Sequence, residues 1–412
     1  LYWILLRTSK QLHFPSATTL PAAYYVYLPL PSGVSEPWKL MLLDALIRSF
    51  MQAVRAAGGQ VEQDRWSRTG GAGQVEEDSD SSLGGVPARV FLPTAGRRLK
   101  RGVVYFHGGG WALGSALPLQ RSDVVFLSRC RSYRLAPEAV FPDQYHDALA
   151  ASRAFLSAPV LQRYGIDPER VCVSGDSAGG NLAAAVAQEW RSGDTTNYLN
   201  CCLCPQLSSD DTLPVKFKVQ ALIYPVLQAL DFYTPSYQQN RAVPILYRPV
   251  MARFWLQYLG ADASLEPLLL ANNHSSLDQP AIGADARSKL DWTALLPAER
   301  KKHFRPVARE TGSPQVMVAV PELMDVRAAP LLAELGALGA TPKAYVMTCE
   351  FDVLRDDGLM YIRRLRDAGV AVTSDHYEDG FHGCMAFAFA PVLSSVGRRS
   401  ADNYIRWLDQ NL

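Results

Sequence analysis

The chain has 412 residues, 48% of them hydrophobic and 20% charged, globular proportions that exclude a mostly disordered or collagen-like protein. Its 41 Lys and Arg balance 40 Asp and Glu to a net charge of +1, so neither a nucleic-acid surface nor an acidic solvating tail is expected. The expected partner is a small molecule or a lipid.

The chain begins at Leu1 rather than Met, as a fragment or an altered gene model does. Residues 1–6 are apolar, but Arg7 and Lys10 end the run. A second apolar stretch, 20–30 (LPAAYYVYLPL), contains Pro21 and Pro29, and no stretch reaches the roughly 18 uninterrupted apolar residues of a membrane span. Tyr24, Tyr25 and Tyr27 suit a water–bilayer boundary. Residues 1–34 therefore read equally as a buried or unfolded arm and as a curtailed membrane anchor.

Ser35 and Pro37 start a helix in which Leu40, Leu43, Ile47, Phe50, Met51 and Val54 recur at helical spacing. Gly58-Gly59 stop it. Residues 70–85, rich in Gly, Ser, Asp and Glu, read as a mobile surface loop. Strands are then expected at 88–92, 102–106, 170–173, 219–224, 344–348 and 370–373, and helices at 143–156, 178–190, 358–368 and 400–408. This alternation, with near-continuous apolar strands, predicts an α/β domain over 35–412: a mostly parallel sheet with helices on both faces. Residues 225–342 interrupt it with aromatic, helix-like sequence that includes Phe232, Tyr233, Tyr237, Phe254, Trp255 and Tyr258. That insertion, with residues 35–60, is expected to form an apolar helical cap over the strand ends, where open α/β sheets bind ligands.

Seven cysteines are too few for a disulfide scaffold, and an odd count leaves at least one free. Cys172 and Cys349 lie in apolar runs and read as small hydrophobes. Cys201, Cys202 and Cys204 contain one C-x-x-C without a second pair spaced for zinc, so no metal is expected.

The chemistry concentrates in three places. Gly175-Asp-Ser177-Ala-Gly179 lies between an apolar strand and a helix, the arrangement of a nucleophile elbow that projects Ser177 from the top of a sheet. His107-Gly108-Gly109-Gly110-Trp111 follows the strand at 102–106, and glycines there let backbone N–H groups approach a developing oxyanion. In esterases with such a loop the donors correspond to Gly108, Gly109 and the residue after the nucleophile, Ala178; His107 is expected to brace the loop. The base and its acid follow the nucleophile in chain order in this fold. His382, in a loop after the last strand, is the expected base, with His376 its rival. Asp352, just past the strand at 344–348, is the expected acid and Glu350 the second choice. Asp356 and Asp357 are placed at the start of the next helix, favoured near its positive end.

With Ser177, Asp352 and His382 in that order below an HGGGW loop, the chain resembles the hormone-sensitive-lipase branch of the α/β-hydrolases. Residues 22–27 (AAYYVY), 38–44 (WKLMLLD), 221–231 (ALIYPVLQALD), 235–240 (PSYQQN) and 407–412 (WLDQNL) narrow the resemblance, over about residues 20–412, to its membrane-anchored lipid esterases and arylacetamide deacetylases. The resemblance implies the α/β-hydrolase fold and a serine esterase that needs no cofactor. It also implies an N-terminal signal anchor in the endoplasmic reticulum membrane and a luminal catalytic domain. Neutral-lipid esters are the implied substrates: acetylated alkylglycerol ethers and cholesteryl esters. An aryl-amide or xenobiotic-ester deacetylase is the alternative within enzymes, and a non-catalytic small-molecule receptor the alternative outside them. Asn273-His-Ser275 is a glycosylation sequon that suits a luminal face. Residues 111–132 leave tight room for the helix and strand this branch fits there, with 123–127 expected to form one of them. Residues 194–214 read as an insertion or a misread splice boundary.

Overall fold

The computed structural model describes residues 26–56, 75–93, 99–114, 124–128, 133–189, 215–279, 282–307, 309–388 and 392–412. The expectations for residues 1–25, for the Cys201–Cys204 cluster, for 194–214 and for a helix within 115–123 or 129–132 lie outside them. The chain divides into two compact units, Leu1–Val61 and Glu62–Leu412.

In the first unit the expected helix is α1, Pro37–Ala56. Its Arg48 Nε donates to Asp44 Oδ2 one turn earlier, at 2.6 Å. No helix of the described residues is long and apolar enough to cross a membrane.

The second unit is built on eight strands: β1 Val75–Leu83, β2 Val86–Pro93, β3 Lys100–Phe106, β4 Val124–Ser128, β5 Ile166–Asp176, β6 Val219–Ile223, β7 Lys343–Phe351 and β8 Val372–Phe381. They lie side by side in the order β1-β2-β4-β3-β5-β6-β7-β8. From β4 to β8 every neighbour is parallel, and β2 runs antiparallel to both β1 and β4. Buried residues run without a break through β6 and through most of β3, β5 and β7, as strands covered on both faces require. Among the helices, α2 is Asp143–Phe155 and α3 Ala178–Glu189. Between residues 225 and 342 only short helices and turns occur among the described residues, the longest being α4, Arg248–Tyr258. Helix α5 is Arg355–Asp367 and α6 Ser395–Asn411. Helix α3 packs on β5 and β6, α5 on β7, and α6 on β8.

Two strand expectations need correction. Residues 75–83 of the expected loop form β1, which pairs with β2 across Gly84 and Gly85. Both glycines have positive φ, 62° and 76°, the conformation of a tight two-residue hairpin turn. The acidic, Ser-rich sequence of β1 is tolerable because the strand borders the sheet and has one neighbour. The second correction is β8, which continues to Phe381 instead of ending at 373. It forms the opposite edge, so Asp375, His376, Glu378 and Asp379 can sit in a strand without breaking a core. The segment expected at 123–127 is β4, held in the sheet between β2 and β3.

The insertion is fastened to the helices beneath it. Asn181 Nδ2 donates to the carbonyls of Val226 (2.9 Å) and Ala328 (2.7 Å). Asp356 and Asp357 do lie in the first turn of α5, but both carboxylates are buried and accept backbone bonds from the insertion. Ser236 N–H donates to Asp356 Oδ2 (2.6 Å) and Leu227 N–H to Asp357 Oδ2 (3.0 Å). Burial pushes the Asp357 carboxyl up to about 7 against the bonds it accepts from Leu227 and Gln228.

Candidate active site

Ser177 stands where β5 turns into α3, with φ at +54°. Left-handed backbone is costly for a residue with a Cβ, and the surroundings hold it there. Ser177 N–H donates to Ile223 O at 2.9 Å. The flanking glycines are obligatory: a Cβ on Gly175 would lie 2.3 Å from Gly179 O, and one on Gly179 would lie 2.0 Å from Phe106 O.

His382 follows β8 directly, and Asp352 follows β7 directly. Adjacent parallel strands thus deliver the two side chains at their shared carboxyl edge, with β6 between them and the end of β5. His382 Nε2 is 3.0 Å from Ser177 Oγ, and His382 Nδ1 is 2.8 Å from Asp352 Oδ2. The other oxygen of Asp352 accepts Leu354 N–H at 2.9 Å, which fixes the carboxylate plane. With a carboxylate against Nδ1, that nitrogen carries the proton and Nε2 faces the serine with its lone pair. Ser177, Asp352 and His382 are all buried, and Tyr224 packs its ring 5.0 Å from the imidazole.

The two rival residues point elsewhere. His376 lies inside β8, its Nδ1 2.8 Å from Thr348 Oγ1 and its Nε2 3.2 Å from Glu350 Oε2. Glu350 is bound by Arg300 and by Arg355 Nη1, the latter at 2.9 Å. Burial opposes charge on Glu350, but His376, Arg355 and Arg300 outweigh it and hold the carboxyl at about 2. Glu350, His376 and Glu378 present ligand-type atoms within 4.8 Å of one another. The cation among them is Arg300, whose Nη2 is 2.9 Å from Glu378 Oε1 and 3.1 Å from His376 Nε2.

The glycine loop leaves β3 through Gly109, Gly110 and Trp111, at φ of 109°, 60° and 57°. His107 is buried at its base. Its ring stacks on Tyr133 at 4.8 Å, and Tyr133 OH donates to His107 O at 3.0 Å. One expected oxyanion donor requires correction: Gly108 N–H is bound by Asp176 Oδ1 at 2.8 Å. Among the described residues no acceptor holds the N–H of Gly109 or of Ala178, so both of these expected donors are unengaged.

Asp176 is the residue that sequence reasoning missed. The same oxygen accepts Tyr105 OH at 2.9 Å, so one carboxylate ties the nucleophile elbow to the glycine loop and to β3. Burial raises its carboxyl to about 6, partly opposed by the Tyr105 and Gly108 bonds. The available signal was an acid closing a run of apolar residues, which needs donors from the neighbouring strand end.

Helix α4 of the insertion packs on the other side of the loop. Trp111 stacks on Tyr258 at 4.1 Å and tilts against Trp255 at 4.8 Å. A Cβ on Gly110 would lie 2.3 Å from the Phe254 ring. The wall over the glycine loop is therefore aromatic.

Comparison with known proteins places the fold and the relatives of the chain. Residues 103–284 and 298–386 match a family described by the alpha/beta hydrolase fold. Neutral cholesterol ester hydrolase 1 of Pongo abelii is 45% identical to this chain, over 95% of it and 97% of that protein. Arylacetamide deacetylase of Oryctolagus cuniculus is 40% identical, over 95% and 96%. Among solved structures, EstE1, a thermostable carboxylesterase cloned from a metagenomic library, superposes with a TM-score of 0.56 at 28% identity, covering 82% of this chain and 89% of that one. A thermostable esterase from Pseudomonas putida shares the fold, with a TM-score of 0.58 at 22% identity over 93% and 99%.

Proposed function

The chain belongs to the α/β-hydrolase family and is a carboxylic ester hydrolase, and we propose that it cleaves neutral-lipid esters through a Ser177–His382–Asp352 triad and an acyl-enzyme. The observation that carries this reading is the pair of contacts at His382, 3.0 Å to Ser177 Oγ and 2.8 Å to Asp352 Oδ2. His382 Nε2 takes the proton from Ser177 Oγ as the oxygen attacks the ester carbonyl. Asp352 holds the imidazole in the correct tautomer and stabilises it once charged. The N–H groups of Gly109 and Ala178 receive the oxyanion, each donor contributing about 10² to 10³ in turnover. His382 then protonates the departing alcohol, and water activated by the same nitrogen releases the acid.

The lipid substrate class is supported by the 45% identity to neutral cholesterol ester hydrolase 1 and by the aromatic wall that α4 lays on the loop. Acetylated alkylglycerol ethers and cholesteryl esters are the proposed substrates. The 40% identity to arylacetamide deacetylase favours aryl amides as a second reading. Competition for organophosphonate labelling separates them: an acetylated ether lipid is expected to protect the protein at lower concentration than an aryl acetamide, and the reverse order would favour the deacetylase. A receptor without catalysis is opposed by the intact His382 contacts. For placement we propose a luminal catalytic domain at the endoplasmic reticulum membrane. The sequon at Asn273, which opens a half-buried turn, is its proposed glycan site, and loss of a mobility shift in Asn273→Gln checks it.

Asp176 enters this mechanism by positioning the loop. Asp176→Ala is expected to lower kcat on p-nitrophenyl acetate by about 10²-fold, the effect of misplacing one oxyanion donor. Asp176→Asn keeps an oxygen able to accept from Gly108 and is expected to lose less. Steady-state kinetics of both variants, with kcat and KM read separately, checks this.

A further inference from the structure

We propose that Cys349 and Cys384 become joined by a disulfide when the chain folds in an oxidising compartment, stapling the strand that carries the acid to the turn that carries the base. The two sulfurs lie 3.6 Å apart, in contact, and both residues are fully buried and reduced in this structure. Cys349 is on β7 just ahead of Glu350, Phe351 and Asp352; Cys384 follows His382 and Gly383. A bond between them would close a ring that contains the whole of α5 and β8 and has Asp352 and His382 at its two ends.

The surroundings suit such a bond. Gly380 leaves room for the sulfur, since a Cβ there would lie 2.9 Å from Cys349 Sγ. The turn bearing Cys384 is held by α6, where Gly397 packs so closely that a Cβ on it would lie 2.3 Å from Cys384 O. Bonded sulfurs stand about 2.05 Å apart, so they must close by roughly 1.5 Å, within the reach of side-chain torsion. Cys172, the other described cysteine, is no competitor: it lies on β5, which β6 separates from β7.

The chemistry is thiol–disulfide exchange. One thiolate attacks a sulfur of glutathione disulfide, releasing one glutathione thiolate; the second cysteine then displaces the other. Two protein thiols lose two protons and two electrons, and the oxidant leaves as two thiols. Burial, with the neighbouring Cys384 and Asp352, raises the Cys349 thiol well above its ordinary value, so exchange is slow in the folded core and takes place while the chain folds.

The consequence of the bond rests on the triad proposed above, but its existence does not. The test is synthesis of the full chain in a cell-free system buffered with glutathione and glutathione disulfide, followed by alkylation, digestion without reduction and peptide mass mapping. The expected product is a cross-linked peptide joining Cys349 to Cys384, absent from Cys384→Ser and from wild type made in dithiothreitol. The cross-linked enzyme is expected to survive heating with a several-fold longer half-life of esterase activity than the reduced form. Alkylation of both thiols in the active wild type, or pairing of either with another cysteine, would overturn the proposal. Equal half-lives despite the cross-link would overturn the staple and leave the triad untouched. Failure of the triad would instead appear as activity retained by Ser177→Ala.

Discussion

Ser177→Ala is expected to lower kcat/KM for ester hydrolysis by about 10⁴ to 10⁶-fold, the range seen when the nucleophile of a coupled triad is removed. The remaining activity would come from water attacking a carbonyl held at Gly109 and Ala178, because those N–H groups do not depend on the serine hydroxyl. Only the oxygen is lost: the backbone bond from position 177 to Ile223 O and the positive φ are kept, and alanine tolerates that φ no worse than serine does. Circular dichroism should therefore match wild type while turnover collapses. Steady-state rates on p-nitrophenyl acetate give the measurement, and activity within tenfold of wild type would mean that another group attacks.

The second large effect is expected at Asp352. Asp352→Asn should lower kcat by about 10⁴-fold with the structure preserved. An amide in that place can still accept Leu354 N–H through its oxygen, which turns its NH₂ toward His382 Nδ1. The imidazole must then accept at Nδ1 and carry its proton on Nε2, facing Ser177 Oγ with a donor where a base is needed. Glu350→Gln is the control, because Glu350 serves Arg300, Arg355 and His376 and makes no contact with His382. Its turnover is expected to stay within a few-fold of wild type. Its stability should not: the Glu350 carboxyl is held at about 2 in the fold, against about 4.3 in an unfolded chain. A depressed carboxyl stabilises fully above the unfolded value and loses that contribution as pH falls through the folded one. The melting temperature of Glu350→Gln should therefore lie below wild type at pH 7, with the gap closing toward pH 2. Retained turnover in Asp352→Asn together with its loss in Glu350→Gln would reverse the assignment of the acid.

The parts of this site that could be read in the sequence were those with local chemical reasons. An apolar run into Gly-Asp-Ser-Ala-Gly and on into a helix has few uses besides an elbow, and three glycines after β3 meet a need for bare backbone. Chain order then left few choices for the acid and the base. What escaped depended on neighbours distant in sequence. Asp176 binds Gly108 and Tyr105 across two strand ends, so nothing near it in the chain announces that Gly108 is already engaged. Strands β1 and β8 were missed or shortened because edge strands need no continuous apolar pattern, and the Gly84-Gly85 turn was hidden in a segment whose composition reads as loop. Asp356 and Asp357 illustrate the same limit: helix-dipole reasoning placed them correctly, but their bonds to Ser236 and Leu227 belong to an insertion that local pattern cannot dock.

The most direct measurement is identification by mass spectrometry of the side chain that an organophosphonate modifies in the folded wild-type protein. The adduct is expected on the peptide that contains Gly175 to Gly179, at Ser177, and its formation should slow sharply in His382→Ala, where no base remains to take the proton. An adduct on any other residue, or labelling of His382→Ala at the wild-type rate, would contradict the triad.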